Sequence, residues 1–421
     1  MSRVHLAVIA VSLAASSSAR ALQPLEDFVA AAHGQNPDAR AARANVVVQE
    51  AQGDVALGRV LPGLSLQANY IRHQYQVELP LAPPVIQARY NDVSGNATLT
   101  VPLLDLANFA QVAAARANAE SSARTLEQTV LDVESRTAQD YYQLLANLVL
   151  AEVAERYLAV SRENLRITEA KLKAGAATRL EVDRALADVE SQVQQLANAR
   201  LQVALSARDL ESATSLSPVL SGSVELADDL HQEPPLEQFE AETPRVPSVT
   251  AAAAASRAAG KRADAQRLAL VPSLSGSFTE TGTNTPVFQP SHWYWQATVA
   301  LSWNLDLTVL ANIRSADGSL AVAEAQETKT TLSAGDAIHR YWNTVTAYIA
   351  QSRSARAGRD ASVEAADRAR VQYQAGTATQ LDLLQAQRDA FAAEVTRIQY
   401  DANLLNARAQ LRLSTGHGLG R

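Results

Sequence analysis

The chain contains no cysteine, a single methionine and few aromatic residues, 5% of the total. Without cysteine it forms no disulfide, performs no thiol chemistry and carries no Cys-linked lipid anchor. Proline is missing from Pro102 to Pro218, and Gly175 is the lone glycine of that interval. Nothing in the stretch stops a helix except at that glycine. After the N-terminus no apolar run approaches the ~20 residues a transmembrane helix needs. Positive charge is not in excess: the formal net charge is −7, which argues against a nucleic-acid partner. None of the seven histidines forms H-E-x-x-H or another close ligand pair. G-x-G-x-x-G, a P-loop and G-x-S-x-G are absent as well. The sequence therefore gives no reason to expect an enzyme, a metal site or a cofactor.

What is present is alanine and periodicity. Hydrophobic residues make up 47% of the 421 positions. With so few aromatics, that balance suits long helices with small interface residues better than one large core. Arg3, the apolar run Leu6 to Ala15 and the Ala19-Arg20-Ala21 sequence have the shape of a secretory signal peptide cleaved after Ala21. The protein is expected to be exported.

Two extended patterns precede the long helical stretch. Leu64, Leu66, Ala68 and Tyr70 alternate with Ser65, Gln67 and Asn69. Ala97, Leu99 and Val101 alternate with Asn96, Thr98 and Thr100. The interval between them holds Pro80, Pro83 and Pro84 and is expected to be loop. From about Asn108 the period becomes helical for roughly 65 residues, near 100 Å at about 1.5 Å per residue. Lys173-Ala-Gly-Ala-Ala-Thr-Arg-Leu-Glu181 then turns the chain: Gly175 reads as a left-handed helix end, and Thr178 with Glu181 as a capping box. The return helix offers Leu186, Val189, Val193, Leu196, Val203, Ala207 and Leu210 as a coiled-coil seam, interrupted by Arg200.

After a linker rich in proline and aspartate the same order returns. Pro24-Leu-Glu-x-Phe28 recurs as Pro235-Leu-Glu-x-Phe239, and Leu61-Pro-Gly-Leu-Ser65 as Val271-Pro-Ser-Leu-Ser275. Leu274, Gly276 and Phe278 face away from Ser275, Ser277 and Thr279. Trp293, Trp295, Ala297, Val299, Leu301 and Trp303 oppose Tyr294, Gln296, Thr298 and Ser302. The second turn is Gln374-Ala-Gly-Thr-Ala-Thr-Gln-Leu-Asp382, and the last helix carries a seam at Phe391, Val395, Ile398, Ala402 and Leu405. The expected organisation is a signal peptide (1–21) and a first repeat (22–217) with strands near 64–71 and 93–103 and a helical hairpin near 107–215. A linker (218–247) leads to a second repeat (235–415), with strands near 274–281 and 293–303 and a hairpin near 309–413. Gly416 and Gly418 suggest a flexible C-terminus (416–421).

Four strands with one greasy and one polar face fit a small sandwich in water or wall segments of an outer-membrane barrel. On the second reading Tyr70, Trp293, Trp295 and Trp303 belong to a lipid-facing aromatic girdle, and four strands are too few to close a barrel alone. Signal peptide, strand pair, long helical hairpin with a Gly turn, linker, and the whole repeated: over essentially the entire mature chain this resembles the TolC-like outer membrane efflux family. Its most specific motif here is Tyr373-x-x-Gly376-Thr-x-Thr379-x-x-Asp382 with the partner stretch around Gly175.

The resemblance implies a mainly α fold with a membrane β-barrel part. Long hairpins form a coiled-coil α-barrel, and four strands per subunit of a homotrimer form one twelve-stranded barrel. It implies the exit duct of a tripartite efflux or type I secretion system. Its partners would be a periplasmic adaptor and an inner-membrane pump of the resistance-nodulation-division, ABC or major-facilitator type. Asp382, Glu181 and Tyr373 correspond to the family's closing network, and Gly175, Leu180, Gly376 and Leu381 flank the tips where the adaptor docks. Gln385 stands where a second gate aspartate would be and Ala378 where an arginine would be, which implies a less charged constriction. Glu181 and Asp382 are also the acidic members of Thr-x-x-Glu and Thr-x-x-Asp caps, a role acids near a helix N-terminus fill anyway. The rival reading is a non-conducting periplasmic coiled-coil scaffold or adaptor, which needs no lipid-facing Trp, Leu and Val on four alternating segments.

Overall fold

A computed structural model describes residues 22–81, 85–220, 226–303 and 306–420. The expected signal peptide lies outside these residues. The first repeat comprises α1 (Leu25–Gln35), α2 (Pro37–Gly58), β1 (Gly63–Arg72), β2 (Val77–Leu79), β3 (Val85–Ala88), β4 (Asn91–Leu104), α3 (Leu106–Lys173) and α4 (Arg179–Thr214). The second comprises α5 (Leu236–Glu240), a 3-10 turn (Thr243–Arg245), α6 (Pro247–Leu268), β5 (Ser273–Thr283), β6 (Trp293–Ser302), α7 (Leu307–Ala375) and α8 (Gln380–Ser414). Both repeats thus run short helix, strand pair, very long helix, return helix.

The strands form one antiparallel sheet in the order β1-β4-β5-β6, not a sandwich. The two repeats meet through β4 and β5, and β1 and β6 are its edges. Each long helix starts behind an aspartate N-cap. Asp105 accepts a hydrogen bond from the Asn108 N–H at 2.9 Å, and Asp306 accepts one from Val309 at 3.0 Å. These side chains satisfy a free N–H of the first helical turn, and only Asp105 separates β4 from α3. The helices they start, α3 and α7, have 68 and 69 residues, about 100 Å each. Helix α2 packs on α3, α6 packs on both α3 and α7, and α4 and α8 pair with the distal parts of α3 and α7.

The apolar core lies midway along the helices. Phe28, Leu144, Leu210 and Ile398 are fully buried, with Leu226 of the linker laid over them. Tyr157 and Phe391 meet edge to face at 5.1 Å between ring centroids. A second cluster joins Val345, Ile349, Leu404 and Leu411 under Trp342 and Phe239. Charge is buried beside these clusters. Asp401 is inaccessible and held by Ser352, by Arg356 at 2.9 Å and by Arg397 at 3.0 Å. Glu394 receives Arg359 at 2.6 Å. Arg408 of α8 grips the linker through Asp228 at 2.9 Å and through Glu233, and Trp342 Nε1 donates to the Pro234 carbonyl at 2.9 Å.

Three expectations change. The proline interval is not all loop: β2 and β3 pair in a small second sheet, while Pro83 and Pro84 fall outside the described residues. Val77–Leu79 and Val85–Ala88 contain no proline, so their ladder loses no donor. The α4 seam is split. Val189, Leu196 and Leu210 are buried, whereas Leu186 and Val193 are exposed together with Leu201 and Leu205. Only part of the apolar surface of α4 is covered by its own chain. The C-terminal residues 416–420 are not frayed. Gly416 takes φ +86° against Pro247, and the Leu419 N–H donates at 2.6 Å to Glu134, whose other oxygen pairs with His33 at 2.8 Å. Gly418 approaches so closely that a Cβ there would lie 3.1 Å from the Glu134 carboxylate.

Candidate functional site: the hairpin tips and the strand wall

Each hairpin tip is built from two cheap devices in series. Gly175 has φ +74° and Gly376 φ +78°, the left-handed conformation that side-chain-bearing residues avoid. The following N–H groups close the helix end: Ala176 donates to Lys171 O at 2.8 Å and Thr377 to Gln372 O at 2.9 Å. Three residues on, a capping box starts the return helix. Thr379 Oγ1 and N donate to Asp382 Oδ2 at 2.6 and 3.0 Å, and the Asp382 N–H donates back to Thr379 Oγ1 at 3.2 Å. Thr178 and Glu181 make the same exchange, with the Thr178 N–H at 2.6 Å from Glu181 Oε2. The Thr379 hydroxyl, then its N–H, hold the Asp382 carboxyl below its ordinary range. The Thr178 N–H, then its hydroxyl, do the same for Glu181. Both Thr379 bonds fall on Oδ2, so Oδ1 of Asp382 keeps its lone pairs for another partner.

The two tips interlock within one chain. Tyr373 is buried, and Lys171 lies 3.7 Å above its ring centroid while donating to its carbonyl at 2.9 Å. Gln380 donates to the Glu181 carbonyl. Higher up, Asn164 donates to Gln387 at 2.7 Å, and Asp188 takes Ser161 at 2.7 Å and Arg388 at 3.3 Å. Leu180 and Leu381 are exposed on the outside of the tips. Gln385 is tied to Asp389 of its own helix at 2.9 Å. Lys171, Gln380, Asp188 and Arg388 did not stand out in the sequence. A lysine two residues before a helix end reads as a macrodipole partner, and only the fold carries it across to the other repeat.

At the opposite end stands the sheet. Register places Leu64, Leu66, Ala68 and Tyr70 of β1 across from Leu99, Ala97, Gly95 and Val93 of β4. The same face continues through Phe278 and Leu274 of β5 to Trp293, Trp295, Ala297, Val299 and Leu301 of β6. Trp295 stacks on Phe278 at 5.8 Å. The other face is Ser, Thr, Asn and Gln, with Thr98 and Thr279 hydrogen-bonded at 3.0 Å. Tyr70, Trp293, Trp295 and Trp303 are exposed, but not at one level. Tyr70 and Trp293 lie towards the loops, while Trp303 follows β6 at the helical end and donates to the Leu270 carbonyl at 3.0 Å. The 10 residues of β6 between those levels span about 33 Å, enough for a tilted strand to cross the ~25 Å apolar band of an outer-membrane barrel. No helix among the described residues is long and apolar enough to cross a membrane.

A family model described as outer membrane efflux protein matches residues 29–215 and 243–417, one stretch per repeat. The chain belongs to the outer membrane efflux protein family. Solved structures with the same fold include the CmeC outer membrane channel of Campylobacter jejuni, at 18% identity with a TM-score of 0.83 over 94% of this chain and 86% of that one. VceC, an outer membrane protein of Vibrio cholerae, gives 17% identity and 0.78 over 94% and 96%. The open-state MtrE channel of Neisseria gonorrhoeae gives 19% and 0.77 over 95% and 91%. No curated protein sequence matches the chain. Family and fold make this an outer membrane efflux channel with a duplicated strand–hairpin unit. They disfavour a scaffold, which has no use for a wide apolar sheet face exposed to its surroundings.

Proposed function

We propose that three copies of this efflux protein form a passive exit duct serving a tripartite efflux or type I secretion system. Its four-stranded sheets would close one twelve-stranded barrel in the outer membrane, and its helices would continue through the periplasm. The observation that carries the reading is the sheet: one apolar face and one polar face on four strands, with both edges open. Open edges in hydrocarbon leave backbone groups unpaired at several kcal/mol each. Edge β6 of one copy pairing with β1 of the next removes both. The polar face then lines the lumen.

The tips would act as the gate, with Asp382 and Glu181 around the constriction and Tyr373 beneath it. Several contacts between the two hairpins near the tips are polar, Lys171 to the Tyr373 carbonyl, Gln380 to the Glu181 carbonyl and Asn164 to Gln387, beside the buried Leu383 and Leu384 of α8. Polar contacts exchanged for water cost about 0.5–1.5 kcal/mol each, so the tips can part while the core above stays packed. Three Asp382 carboxylates gathered by symmetry would attract cations to a narrow opening. A periplasmic adaptor would dock over Gly175, Leu180, Gly376 and Leu381, and the pump behind it would supply the energy. Planar-bilayer recordings test the gate: Asp382→Ala should raise conductance and relieve block by divalent cations. Currents identical to wild type would remove Asp382 from that role. Extraction of the mature chain as a soluble monomer without detergent would remove the duct.

A further inference from the structure

The outward sheet face is not uniformly greasy. Near its loop end four small residues adjoin across three strands: Ala68 pairs with Gly95, Gly95 with Gly282, and Ala97 lies beside them. Leu66 and Trp293 stand up around this floor, and the loop residues Arg89 and His292 close its outer end. The result is a cup of about 1010 Å3, apolar below and polar at the lip. The Trp293 ring lies over Gly282, where a Cβ would meet it at 2.9 Å, and so forms one wall of the cup. Arg89 Nε is buried without a hydrogen-bond partner. A buried donor of a charged group left unpaired is unfavourable, and an oxyanion in the cup would satisfy it. Arg72, in register with Asn91 at the end of β1, adds a second cation at that level. Glu280, in register with Ala97, places a carboxylate at the inner margin of the floor, away from the lip.

We propose that this cup binds one phosphorylated, acylated glycolipid from the outer leaflet, with an acyl chain on the small-residue floor and a phosphate at Arg89. The inference rests on the sheet being the outer-membrane wall with its loops outward. Hydrophobicity gives no preference there, since any lipid tail is equally apolar. Selectivity comes from the lip. A guanidinium takes a phosphate bidentately, and Arg72 at the same level offers a second cation to a headgroup with more than one phosphate.

The test uses the full mature chain reconstituted in nanodiscs holding equal amounts of a phosphorylated glycolipid and phosphatidylglycerol. The oligomer is then stripped in detergent, and native mass spectrometry counts the lipids retained. Wild type should keep up to one glycolipid per chain. Arg89→Ala, and separately Ala97→Phe, which fills the floor, should each retain it about tenfold less, the size expected for losing a charge-assisted contact. Each sample is first run unheated on a gel to show the oligomer. A wild type that forms no membrane oligomer overturns the duct reading itself. An intact oligomer that keeps glycolipid equally well with either substitution, or keeps phosphatidylglycerol instead, overturns the cup alone.

Discussion

At position 376 the backbone has φ +78°, and nothing lies within 4 Å of where a Cβ would stand. Glycine is required by conformation there, not by crowding. Gly376→Ala should therefore cost about 1–2 kcal/mol of local strain and show as faster amide exchange at the start of α8, with export largely kept. Gly376→Trp adds bulk to the same strain. If an adaptor seats on the tip, Trp should abolish export while the trimer survives; unimpaired export would argue against docking there. The capping acids make a pH prediction. Asp382 and Glu181 have carboxyls held below their ordinary range by the Thr379 and Thr178 donors. Their folded pKa is depressed, so their stabilisation is complete above the unfolded value and fades as pH falls through the folded one. Tips should stay ordered from neutral pH down to the ordinary carboxylate range and loosen only below it. Amide exchange at residues 178–183 and 379–384, corrected for the pH dependence of the intrinsic rates, checks this, and protection unchanged below the carboxylate range would refute it.

Among elements, the linker depends on α8. Arg408 places two nitrogens on the buried Asp228, at 2.9 and 3.1 Å, reaches Glu233 and donates to the His231 carbonyl at 2.8 Å. Arg408→Met leaves Asp228 buried without its cation, a loss of about 3–5 kcal/mol for a broken buried pair. Its melting temperature should fall, and adding Asp228→Leu should recover part of the loss. A single variant as stable as wild type would show that the strap is held by Leu226 and Trp342 instead. Such contacts were invisible in the sequence for a physical reason. Arg408, Glu394 and Asp401 sit in an otherwise ordinary amphipathic helix, and their partners come from remote segments. Period, by contrast, is written locally. The alternation at Leu64 to Tyr70 and the lone Gly175 announce strand and turn without help from tertiary contacts. The split α4 seam shows the limit of that signal, because periodicity marks an apolar side without saying which molecule covers it.

For the whole molecule, the uncovered residues are as informative as the covered ones. Leu201 and Leu205 remain exposed on α4 at 53% and 50%, though the helix is packed on α3 through Val189, Leu196 and Leu210. In the proposed trimer they would be covered by a neighbouring copy. Leu201→Asp with Leu205→Asp should leave the helical content intact by circular dichroism but remove the heat-modifiable trimer band, and a persisting band would place these leucines outside the contact. The site was legible to the same extent as the fold. The turns, their glycines and the capping acids could be named from spacing, whereas Lys171 on Tyr373 joins two repeats some two hundred positions apart.

The open edges of the sheet also constrain how the protein comes into being. Among the described residues β1 and β6 each lack a neighbour on one side, so a single copy would present two unpaired edges to a bilayer. In the proposed trimer each copy would close its sheet only when two others supply the missing neighbours. Barrel closure then becomes a third-order event in chain concentration, so halving expression should slow channel appearance far more than twofold.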